Sequence, residues 1–135
     1  MKDKYFKQDN MSVLKLRQLQ YESDTWKRLL GFLADENMHL KYMLSEVLKN
    51  GFNEDLLDEA ENFQSRFVKE DELIHFLRIS VAELDDLLVR EVFEDGKIIK
   101  EIHQRLKNLS DNILHVQEQF TKLKSEFNSF MSANI

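Results

Sequence analysis

The sequence predicts an all-α protein: an elongated antiparallel (up-down-up) three-helix bundle with coiled-coil-like heptad packing. Three observations carry that expectation. The 135 residues include no Pro and three Gly, so long helices meet few residues that break or weaken them. Apolar side chains recur in alternating steps of three and four, the spacing that lays one stripe along a helix. Turn signals interrupt the pattern at two places, which leaves three long segments.

The last segment has the clearest stripe: Ile99, Ile102, Leu106, Leu109, Ile113, Val116, Phe120, Leu123, Phe127 and Phe130, with no polar exception. The middle segment keeps the rhythm through Ala60, Phe63, Phe67, Glu70, Ile74, Leu77, Val81, Leu84, Leu88 and Glu91, where Glu70 and Glu91 are charged intruders. The first segment reads Leu19, Trp26, Leu29, Leu33, Glu36, Leu40, Met43 and Val47. Leu30 and Leu44 widen that stripe, and Asn37 beside Glu36 marks one turn as polar. Trp26, Met43 and the Phe series are expected in the core, and Tyr5, Tyr21 and Tyr42 fall off the stripe.

The first turn signal is Lys49-Asn50-Gly51-Phe52-Asn53. Gly51 suits the left-handed position after a helix, and Lys49 suits the negative helix end. Asn53 can cap the next helix, with Phe52 and Leu57 at the positions of a hydrophobic staple. The second is Glu94-Asp95-Gly96-Lys97, where the heptad phase is lost and Gly96 is the available breaker. These cuts predict helices over 12–50, 53–93 and 97–131, each roughly 50–60 Å long. Short connections make sequential helices antiparallel. Ser80-Val81-Ala82-Glu83 matches a capping box, but the stripe runs through it without slipping, so the middle helix is read as continuous. Residues 1–11 are expected to be a flexible N-terminal segment and 12–135 a single helical-bundle domain. With Trp26 on the first helix of an antiparallel triple bundle, the arrangement resembles the spectrin-repeat architecture over roughly residues 20–131. That resemblance implies a fold and no function.

Charge and composition bound the function. The formal net charge is −6, which disfavours nucleic acid as a partner. It is unevenly spread: residues 1–52 carry nine basic and seven acidic side chains, 53–95 four and fourteen, and 96–135 six and four. The acidic middle segment is expected to pair with its basic neighbours inside the chain. The absence of Cys removes disulfides, thiolate metal sites and thiol nucleophiles, and suits a reducing cytoplasm. No apolar run approaches the ~20 residues of a membrane span. Met1 to Asn10 lacks the apolar stretch of a secretory leader.

Catalytic constellations are missing. The three Gly are too far apart for a phosphate loop, and no Ser has a His at a convincing helical spacing. An enzyme is not expected, and no cofactor is implied. Glu-x-x-His occurs twice, at Glu36–His39 and Glu72–His75, the spacing used by di-metal carboxylate bundles. The heptad frame turns Glu72 and His75 outward, so this alternative reading rests on Glu36, His39 and Glu70 as metal ligands. Glu36, Asn37 and Glu70 are otherwise expected to share one buried polar layer that fixes register. A second alternative is a peripheral membrane-surface protein, because Lys2 to Arg17 holds five basic and two acidic residues among Tyr5, Phe6, Val13, Leu14 and Leu16.

The reading favoured by the sequence is a non-enzymatic interaction or assembly module. On the middle helix Phe76, Ile79, Val89 and Phe93, with Val92 beside the last two, fall off the buried stripe. Grouped apolar residues on an outer face mark an interface with a protein partner or a second copy.

Overall fold

A computed structural model describes residues 12–50, 53–94 and 96–134. The described chain is an antiparallel three-helix bundle. Its helices are α1 (Val13–Lys49), α2 (Leu57–Glu94) and α3 (Ile99–Asn134). No strand occurs among the described residues.

Local chemistry sets the helix ends. Ser12 caps α1, its hydroxyl accepting from the Lys15 N–H at 3.1 Å. Asn53 caps a single 3-10 turn, Glu54–Leu56, by accepting from the Asp55 N–H at 3.0 Å, and α2 follows directly. The expected cap therefore forms, but it opens on a tighter turn before the α-helix begins. Gly51 and Phe52 lie outside the described residues, as does the N-terminal segment 1–11. Gly96 adopts a φ of 87°, a left-handed conformation that a Cβ would penalise, and this separates α2 from α3. α2 is unbroken through Ser80.

The chain divides into two compact units. The first unites residues 12–29 with Leu77–Ile113. Its core holds Leu19 and Trp26 from α1, Leu77, Val81, Leu84, Leu87 and Leu88 from α2, and Ile102, Leu109 and Ile113 from α3. The second unites Leu30–Phe76 with residues 114–134. Its core is aromatic. The Phe127 ring meets Phe63 edge-on at 5.4 Å between centroids and Phe67 at 5.1 Å, and Phe130 stands 5.1 Å from Phe63.

The α2 stripe is buried at every expected position from Ala60 to Glu91. The α3 stripe is buried from Leu109 to Phe130, while Leu106 and Ile99 are half-buried and Ile98 is buried instead. The α1 stripe departs from expectation. Leu29, Glu36 and Met43 are half-buried flank residues. The buried line is Leu19, Ser23, Trp26, Leu30, Leu33, Asn37, Leu40 and Leu44, an unbroken alternation of four and three. The second core position of each heptad is thus one residue later than expected. Two of those positions are polar, and their hydrogen bonds explain the choice.

Candidate functional site

The polar core positions of α1 build two matched clamps. In the second unit the Asn37 side chain is fully buried, and its Nδ2 donates to the Phe67 carbonyl at 2.9 Å and to Asp71 Oδ1 at 2.6 Å. Lys41, one turn along α1, forms an ion pair with the other Asp71 oxygen. In the first unit Ser23 is fully buried and its hydroxyl donates to Asp85 Oδ1, which also accepts from Gln20 Nε2 at 3.4 Å. Lys27 forms an ion pair with Asp85 Oδ2. The Lys27 ammonium pKa is raised, chiefly by that hydrogen-bonded contact and against the effect of burial. Ser23, Lys27 and Asp85 relate to Asn37, Lys41 and Asp71 by 14 residues on each helix, two heptads. Each clamp ties a buried polar side chain and a lysine of α1 to one aspartate of α2.

The layer expected from Glu36, Asn37 and Glu70 is therefore replaced. Asn37 pairs with Asp71, and Glu36 accepts from Lys124 of α3 at 2.7 Å. Replacing Asn37 by Ala should cost about 1–3 kcal/mol, because it removes two hydrogen bonds and opens a space beside Asp71. A urea titration of the variant against the parent measures it, and an unchanged midpoint would show that the clamp is dispensable.

Acidic α2 is met by its neighbours as the charge distribution suggests. Asp71 and Asp85 engage lysines of α1, and Glu83 engages Arg105 of α3 at 2.9 Å. Arg66 reverses the sense, pairing with Glu126 of α3 at 2.6 Å while its guanidinium lies 5.5 Å from the Phe63 ring centre.

Glu36, His39 and Glu70 have separate surroundings. Glu36 is half-buried against Lys124, His39 is exposed, and Glu70 is buried with 5% of its surface accessible. Among the described residues no group of three His, Cys, Asp or Glu stands close enough to share a metal ion. The alternative ligand set is not gathered at one point. Among the described residues no helix is long and apolar enough to cross a membrane.

The apolar candidates all lie on α2 with their side chains exposed. In the first unit Ile79 is 46% accessible, Val89 58%, Val92 62% and Phe93 80%. Val89, Val92 and Phe93 share one side of the last turns of α2, since steps of three and four stay on one helix face. Phe76, at 62%, belongs to the second unit. Further exposed apolar residues of that unit were not singled out in the sequence, among them Phe32, Val68 and Leu114. Phe32 and Leu114 each adjoin a buried stripe residue, Leu33 or Ile113, which hides their outward direction in the sequence. Val68 rims a groove of about 510 Å³ between α1 and α2, floored by Leu44 and Phe67 and bordered by Leu48.

No family model matches the chain, and no curated protein or solved structure matches it significantly.

Proposed function

We propose that the protein is a non-enzymatic interaction or assembly module of the cytoplasm, working through the outer face of α2. The observation that carries this reading is the group Val89, Val92 and Phe93, three large apolar side chains exposed on one face. Such a group keeps apolar surface in water, and covering it releases roughly 25 cal/mol per Å². Ile79 extends the face by two to three turns, and Asp86, exposed between them, supplies an acidic contact for a basic residue of the partner. Phe76 is a contact in its own right. The chemistry is helix-face docking: apolar anchors supply affinity, and rim charges supply orientation. The lack of Cys suits a reducing compartment.

A second copy of the chain is the first partner to test. Light scattering after size exclusion, over a wide concentration range, reads the molar mass against 16.2 kDa for one chain. The expected result is a mass above one chain that returns to it when Val89 and Phe93 are both replaced by Lys. Circular dichroism should show unchanged helix content, since both residues are exposed. A monomeric parent would rule out self-association and direct the search to a different protein. An assembled mass that survives both substitutions would remove this face from consideration.

A further inference from the structure

Among the described residues of the second unit, Glu70 carries a buried carboxyl oxygen that its fold leaves without a hydrogen-bond partner. Glu70 sits on the buried line of α2 between Phe67 and Ile74, both fully enclosed, and its own accessibility is 5%. Its Oε1 is buried and makes no hydrogen bond. A buried polar atom in that condition costs stability, and an ionised one costs more.

The charged groups around it are engaged elsewhere or stand in water. On α2 itself, Arg66 is bound to Glu126 of α3 and Asp71 is held by Asn37 and Lys41. Lys69 is exposed. The charges that α1 brings to this part of the unit are Glu36, bound to Lys124, and Lys41, bound to Asp71. From α3, Lys122 is exposed and Gln119 and Leu123 are its neighbours on the groove wall. Arg66, Lys69, Glu70 and Leu73 form the opposite wall of this groove, whose volume is about 290 Å³. Water can therefore come close to the carboxyl group without hydrating its inner oxygen in the closed seam.

We propose that Glu70 is a proton-binding site that controls closure of the α2–α3 seam in this unit. With its proton, the neutral carboxyl group lies in the closed seam among apolar neighbours. Without it, the carboxylate draws water through the groove and the seam opens more often. Burial pushes the Glu70 pKa up to about 6; Arg66 opposes the shift and Asp71 adds to it. A carboxyl whose folded pKa exceeds its unfolded value stabilises the closed state at low pH. The contribution is complete below the ordinary value near 4.5 and is lost as pH rises through about 6.

The test is native-state hydrogen exchange of the parent and of Glu70→Gln, followed for amides of residues 63–76 and 114–127 at pH 5.0 and 7.5. Protection factors, corrected for intrinsic exchange, should be about tenfold higher at pH 5.0 in the parent. In Glu70→Gln they should be equal at both pH values. A parent with no pH dependence, or a variant that keeps the parent's dependence, overturns the proposal. An NMR titration of the Glu70 carboxyl carbon in the parent gives an independent readout that does not depend on the variant folding. A midpoint near 6 supports the site, and one near 4.5 refutes it.

Discussion

Replacing Ile113 with Asp is expected to unfold the first unit at neutral pH. Ile113 keeps 2% of its surface accessible and lies on α3 between Leu109 and Val116, themselves buried at 3%. The substitution removes an apolar side chain worth roughly 2 kcal/mol of burial and places a carboxylate where the stripe is apolar. An unpaired buried charge costs several kcal/mol more, about 3–5 by comparison with broken buried pairs. Domains of this size are stable by about 5–15 kcal/mol, so the loss takes a large share of the total. Far-UV circular dichroism should show reduced helix content at 25 °C or a melting point lower by on the order of 15 °C. The deficit should shrink as pH falls towards 4, because a protonated Asp is far cheaper to bury than an ionised one. A variant that melts like the parent would place Ile113 outside the core.

The α3 stripe is legible from Leu109 to Phe127 because its apolar residues recur there in alternating steps of four and three among mainly polar neighbours. Asp111, Asn112 and His115 are polar around Ile113, and although Leu114 adjoins it, the steps of four from Leu109 and three to Val116 favour Ile113 as the buried residue. The first helix offers no such contrast. Leu29–Leu30, Glu36–Asn37 and Met43–Leu44 are adjacent pairs of similar character, so a step of three and a step of four fit equally well. Tertiary partners decide between them. The Asn37 amide can donate twice, to the Phe67 carbonyl and to Asp71, whereas Glu36 carries a charge that Lys124 meets at the flank. Ser23 left a gap in the stripe, since a small hydroxyl residue gives no apolar signal. Its distance of 14 residues from Asn37 was the available sign of a repeated polar position. The outer face of α2 was visible for the opposite reason: Val89, Val92 and Phe93 are apolar where the stripe, through Leu88 and Glu91, has already used its buried positions.

Phe127→Ala in the second unit and Phe93→Ala in the first should separate core from surface among phenylalanines. Phe127 is fully buried and stands edge-on to Phe63 and Phe67, with interplanar angles of 73° and 80°. Truncating it forfeits transfer energy, leaves a cavity that helix backbones cannot collapse to fill, and removes two favourable ring contacts of about 0.5–1.5 kcal/mol each. The combined cost should be about 3–5 kcal/mol. The urea midpoint should fall by more than about 1 M, with little change in slope. Phe127→Leu keeps most of the volume and should cost less than half as much, because the space is filled while the ring geometry is lost. Phe93, 80% accessible, has little burial to lose, and its truncation should move the midpoint by less than about 0.5 kcal/mol in equivalent stability. The same Phe93→Ala change should lower association if the α2 face is an interface, so one residue is neutral for folding and costly for assembly while the other is the reverse. Equal losses of stability at Phe127 and Phe93 would break that division. They would mean that Phe93 is already covered in the folded protein, and the docking surface would then have to be sought elsewhere.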